Sequence, residues 1–190
     1  MSKVTFDAGG TATVRLHKRE RGSYFGHPGI CTVTFCHGDP KTTHAALKTK
    51  FLEVLRSNPW NGGRFDKNKD LVFKNTDISD TDVNEILVPV RKNAAVNRAQ
   101  PYPALVSAVA KDASMSVVQG NKLLKSAGCI TKCVVVEPEQ PGGEFVIVFS
   151  MSHAAADGHD YYRILNMVCG TDPVEAMNPK RVEEYETREP

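Results

Sequence analysis

Residues 149–164 read FSMSHAAADGHDYYRI. They close EFVIVFSMS (144–152), an apolar run with the period of a core strand, and they end it on an imidazole, His153. Three alanines follow, then the turn-marking pair Asp157-Gly158. Beyond the pair, HDYYRILNMV sets Ile164, Leu165, Met167 and one of Tyr161 or Tyr162 at helical spacing, with Asp157 at the capping position. The stretch predicts strand, turn and helix, with His153 where a core strand leaves its sheet. A rigid scaffold commonly holds functional groups at such a place.

An imidazole whose ordinary pKa is about 6.5 takes a proton from a hydroxyl or amine near neutral pH. Ala154, Ala155 and Ala156 are small enough to leave a substrate room beside it, and Gly158 permits a sharp turn into the helix. The plainer reading is a hydrogen-bonded strand-end histidine with Asp157 as a helix cap, and it is the default for a lone H-x-x-x-D-G.

Before it in the chain, CITKCVVVEP (129–138) and EFVIVFSMS flank the turn-rich EQPGG (139–143), a hairpin signal. GTATVRLHKRER (10–21) predicts a strand running into a basic loop, and GICTVTFCHG (29–38) a second strand. Leu47, Phe51 and Leu55 define a helix over 42–57, capped by Thr42 or Thr43 and stopped by Asn58-Pro59. LVFKN (71–75) predicts a short strand, PALVSAVAKDAS (103–114) a helix, and 91–102 a polar surface excursion. SDTDVNEILVPV (79–90) fits a capped helix or an extended segment, and MSVVQGNKLLKSAG (115–128) is ambiguous.

Length and charge narrow the function classes. A chain of 190 residues buries about 70% of its unfolded surface in one core, so one domain is expected over 1–175, with a charged C-terminal tail at 176–190 serving as linker or solvated terminus. The net charge is only +2, and outside Arg15, Lys18, Arg19 and Arg21 the basic residues are scattered, which argues against a nucleic-acid partner. No apolar stretch approaches the ~20 residues of a membrane span, and no secretory pattern follows the start. Five cysteines in mostly apolar runs read as reduced thiols, so a cytoplasmic location is expected. Cys31 with Cys36 and Cys129 with Cys133 miss the close ligand spacing of common zinc sites. His17, His27, His37 and His44 lie in separate segments, so no metal is expected.

The His153 motif closing a hairpin, together with an amphipathic helix that ends in LRSNPWNGGRF, resembles the CoA-dependent acyltransferase superfamily. That family includes chloramphenicol acetyltransferase, the BAHD acyltransferases and the condensation domains of peptide synthetases. The resemblance runs over residues 28 to 168, with Pro59, Gly63 and Arg64 matching the upstream pattern and the His153 motif its specific part. It implies a chloramphenicol acetyltransferase-like α/β fold, an α+β two-layer sandwich with a mixed sheet covered by helices mainly on one face.

It further implies that His153 is the general base and that Asp157 and Gly158 are structural motif residues, the aspartate paired with an arginine. Arg15, Arg19, Arg21 and Arg64 are the candidates. Ser152, Ala156 and His159 would line the substrate. The co-substrate would be an acyl-CoA or acyl-carrier thioester, with no permanently bound cofactor, and the acceptor a small hydroxyl or amine. Ser152 stands where many relatives have a second histidine, and the D-F-G-W-G motif of the plant enzymes' second half has no counterpart. The chain thus resembles a first half. A homo-oligomer (a trimer) or a complementary second half would complete the site; the alternative is a noncatalytic half-domain acting as a binding or scaffolding subunit.

Overall fold

The computed structural model describes residues 4–110, 112–137 and 143–181. Strands β1 (Val4–Phe6) and β2 (Thr11–Val14) lead into the short helix α1 (Lys18–Arg21), a 3-10 turn at Tyr24–Gly26 and β3 (Ile30–Cys36). Helix α2 (Pro40–Ser57) and a second 3-10 turn (Pro59–Gly62) precede β4 (Arg64–Phe65) and β5 (Leu71–Lys74). Then come α3 (Asp80–Ile86), β6 (Leu87–Lys92), α4 (Tyr102–Ala110) and α5 (Gly120–Ser126). β7 (Thr131–Glu137), β8 (Phe145–Met151) and α6 (Gly158–Cys169) complete the order.

The mixed sheet has the order β3-β8-β7-β6, antiparallel except for the parallel β6–β7 pair. A smaller antiparallel sheet runs β1-β2-β5-β4. Every residue of β8 is buried. Phe145, Ile147, Phe149 and Met151 join the main core with Phe51 of α2 and Tyr161 and Ile164 of α6. Val146 and Val148 belong to a second cluster with Val134, Val136, Val96, Val109 and Met115. Cover on both faces is why this strand reads as an unbroken apolar run. The result is an α+β sandwich, with α2, α3 and α6 on one face of the mixed sheet and α4 with its neighbouring segments on the other.

Several local readings resolve differently from the sequence expectation. Helix α2 starts at Pro40, because Asp39 caps it by accepting from the Thr42 N–H at 2.8 Å; a proline at the first helical position sacrifices no bond. The expected basic loop after β2 contains α1, whose Glu20 carboxylate accepts from the His17 N–H at 2.7 Å. SDTDVNEILVPV holds both of its alternatives in succession, α3 and then β6. The polar 91–102 stretch buries Val96 in the second cluster. The hairpin strands pair antiparallel, while residues 138–142 of its turn lie outside the described residues.

The start of the charged tail packs on the body. Buried Asn58 donates from Nδ2 to the Glu175 carbonyl at 2.8 Å and accepts from the Met177 N–H at 2.6 Å, and Met177 is buried. Residues 182–190 of the tail lie outside the described residues. No helix among the described residues is long and apolar enough to cross a membrane.

Two outcomes follow from these contacts. The Tyr161 hydroxyl, wholly buried, lies 2.9 Å from both the Phe149 carbonyl and Thr32 Oγ1, tying α6 to two strands. Tyr161→Phe is expected to lower unfolding free energy by about 1–2 kcal/mol in urea denaturation, since the buried Phe149 carbonyl and the half-buried Thr32 hydroxyl lose the phenol oxygen they share. Hydrogen bonds from the Thr42 hydroxyl and amide hold the Asp39 carboxyl below its ordinary value of 3.8. Partial burial opposes the same effect at Asp82, but bonds from Ser79 and Lys74 prevail and its pKa is also lowered. A depressed folded pKa gives stability that is full above the unfolded value and is lost as pH falls through the folded one. Asp39→Ala with Asp82→Ala should therefore lower the melting temperature at pH 7 and shrink its drop between pH 5 and pH 2.

Candidate functional site

His153 stands at the exit of β8. The Ser152 N–H donates to the Ile130 carbonyl at 2.7 Å, and the Ser152 carbonyl accepts from Ala155 N–H at 3.0 Å and Ala156 N–H at 3.2 Å. These bonds close a tight turn from which the imidazole projects. Ala154, Ala155 and Ala156 are buried members of the main core. Their small size lets the turn sit flat on the core; Ser152 and Ala156, expected to line substrate space, are buried.

The imidazole itself is half-buried and clasped by a segment remote in sequence. Tyr24 stacks on it with ring centroids 5.0 Å apart and planes 16° apart, and His27 meets it edge-on at 5.8 Å and 67°. Its Nδ1 is enclosed without a hydrogen-bond partner, and Nε2 has no partner among the described residues. Tyr24 and His27 are themselves held by Phe25 between them, which packs at 4.7 Å on Phe65 and against Gly120. A Cβ on Gly120 would stand 2.9 Å from the Phe25 ring, so only glycine allows α5 to approach so closely.

Sequence reasoning set His27 aside as isolated and did not single out Tyr24. The signal lay in GSYFGHPG (22–29), where aromatics and a histidine are concentrated in a glycine- and proline-rich turn before a strand.

The rest of the motif is arranged around the helix start. Asp157 is exposed and caps α6, its carboxylate accepting from the Asp160 N–H at 2.9 Å. Among the described residues it makes no ion pair with an arginine. Arg64, one candidate, instead donates to the Ala127 carbonyl at 2.7 Å and pairs with Glu85. A Cβ on Gly158 would meet nothing within 4 Å, and the sharp turn expected there is made upstream at 152–156. His159 is exposed on the first turn of α6.

The arginine that does reach the motif is Arg181. It donates from Nη2 to the Ala155 carbonyl at 2.7 Å, and its Nε lies 2.8 Å from Glu20 Oε1. Burial pushes the pKa of nearby Asp160 up, reinforced by Asp157 and opposed by Arg181. Sequence reading missed Arg181 because it sits in a charge-rich stretch with no periodicity.

The thiols are poorly suited to ligation or nucleophilic work. Burial pushes Cys129 up to about 11, and raises Cys133 well above its ordinary value. No group of three or more potential metal ligands comes together among the described residues. Trp60 packs in the main core.

No protein-family model matches the sequence, and no curated protein matches it. Solved structures do match the fold. The TRI3 trichothecene 15-O-acetyltransferase from Fusarium sporotrichioides superposes with a TM-score of 0.56 at 10% identity, covering 88% of this chain and 36% of its own. TRI101 of F. sporotrichioides, crystallised with coenzyme A and T-2, gives 0.53 at 12% identity, covering 87% of this chain and 42% of its own. The chain thus spans well under half the length of either structure. Over that span, strand, motif turn and capped helix follow one another within a fold shared with part of these two structures.

Proposed function

We propose that this chain is an acyl-transfer module in which His153 is the general base. The observation that carries the reading is the imidazole's setting: it ends a fully buried strand, is stacked on Tyr24, and presents an Nε2 without a partner among the described residues. The donor is an acyl thioester of CoA or of a carrier protein, and the acceptor a hydroxyl or amine. As the acceptor attacks the thioester carbonyl, its proton passes to Nε2, the new carbon–oxygen or carbon–nitrogen bond forms, and the carbon–sulfur bond breaks. The departing thiolate then takes the proton from the imidazolium. Asp157 holds the helix start, Gly158 leaves that end uncrowded, and exposed His159 flanks the approach. Ser152 and Ala156 frame the turn from below.

A second reading has its own support. The chain spans 36% and 42% of the two acetyltransferase-fold structures, and Asp157 lacks an arginine among the described residues. In that reading this is a noncatalytic half-domain that binds or scaffolds. The enzymatic reading needs an opposite wall for the imidazole, supplied by a homo-oligomer such as a trimer or by a complementary second half.

One experiment separates the two. Native mass is measured by light scattering, and release of free thiol from acetyl-CoA is followed on the same sample for wild type and His153→Ala. The acyl-transfer reading expects an oligomer or hetero-complex whose turnover falls ~10²- to 10⁴-fold with the substitution. A monomer without turnover favours the scaffolding reading.

A further inference from the structure

We propose that Arg181 is a positioning residue for His153: it staples the motif turn to the α1 segment that carries Tyr24 and His27. This rests on the reading of His153 as the base. The chain of contacts is continuous. The Ala155 carbonyl, two residues from His153, accepts from Arg181 Nη2 at 2.7 Å. Arg181 Nε lies 2.8 Å from Glu20 Oε1, and Glu20 Oε2 accepts from the His17 N–H at 2.7 Å. The two side chains are only 11% and 17% exposed, so water screens their attraction weakly.

The two ends of this staple bear on the same imidazole. Ala155 lies in the turn that projects it, and α1 is followed within a few residues by Tyr24, which stacks on it, and His27, which meets its edge. A guanidinium suits this position because one nitrogen donates to a carbonyl while the charge, spread over the planar group, lies beside a carboxylate, a reach the compact charge of an ammonium does not offer. The C-terminal segment is brought there by Asn58, which binds the backbone at Glu175 and Met177. Arg181 therefore couples the segment after α6 to the ring plane of the base. It touches no reacting atom.

The test compares wild type with Arg181→Gln, Glu20→Gln, the double variant and Arg163→Gln. Arg163 pairs with Glu175 on the same C-terminal segment but on an exposed face, so it controls for general loosening. The first readout needs no turnover: diethyl pyrocarbonate modification of His153, measured by peptide mass spectrometry against His37, whose side chain is 81% exposed. Arg181→Gln should raise the His153 to His37 ratio ~5-fold and Glu20→Gln less, with the double variant matching Arg181→Gln and Arg163→Gln matching wild type.

The second readout is acetyl-CoA thioester turnover, where Arg181→Gln should lower kcat ~10- to 100-fold with KM changed by less than about threefold, as expected for a misplaced base. Should Arg181→Gln fail to fold by circular dichroism, Glu20→Gln, which keeps an acceptor for His17, carries both readouts. An unchanged labelling ratio in the folded variants overturns the proposal, as does a turnover loss shared by Arg163→Gln. Absence of turnover in wild type would sink the acyl-transfer reading alone, since the labelling ratio still decides the staple.

Discussion

Burial of β8 on both faces is the constraint on which the other elements depend. A strand with β3 and β7 hydrogen-bonded at its edges and apolar side chains above and below has no freedom of register, because a one-residue slip would exchange its two cores. Phe149 and Met151 must face α2 and α6, and Val146 and Val148 must face Val109 and Met115. The end of the strand is thereby fixed in three dimensions. His153 inherits that precision through only one intervening residue, Ser152, whose N–H and carbonyl are both engaged.

The helix that follows is placed by the same strand. Tyr161 reaches back from α6 to the Phe149 carbonyl and to Thr32 of β3, so the helix returns over the sheet it has just left. Between strand and helix the turn packs three alanines into the core, and any larger side chain there would lift it away. The residues of the motif thus divide by task. Alanines set its depth, Asp157 sets the helix start, and the imidazole alone projects to where it meets groups from elsewhere in the chain.

Much of this was legible in the sequence because it rests on local signals. The apolar run of EFVIVFSMS, the turn residues of the hairpin and the spacing of Leu47, Phe51 and Leu55 each encode an element in a short window. What stayed hidden depends on contacts across long separations. Tyr24 and His27 lie more than a hundred residues from His153, and nothing in GSYFGHPG says which side chain its aromatics will meet. Arg181 and Asn58 were obscure for a related reason. Each anchors backbone carbonyls or amides, which every residue possesses, so no pattern of side chains marks their partners. The misplaced start of α2 was a local competition instead: Asp39 wins the cap because Pro40 needs no partner for an N–H it lacks.

The base chemistry proposed for the imidazole needs two things, and the contacts described supply only the first. The ring must lie in a fixed plane, and its proton must sit on the nitrogen that does not act. Stacking on Tyr24 and edge contact with His27 fix the plane, because rotation about the side chain would drive the ring into one or the other. Neither contact chooses the proton's place, since a ring face accepts little from an in-plane N–H. For Nε2 to take a proton, Nδ1 must hold the ring's own, and here Nδ1 is enclosed without an acceptor. An enclosed, unpaired N–H costs on the order of 1–3 kcal/mol, so the tautomer with its proton on Nε2 is favoured until an acceptor meets Nδ1. On the proposed reading, a substrate, second copy or second half that meets His153 has a chemical task beyond closing off water: it must shift the turn so that an acceptor reaches the enclosed inner nitrogen.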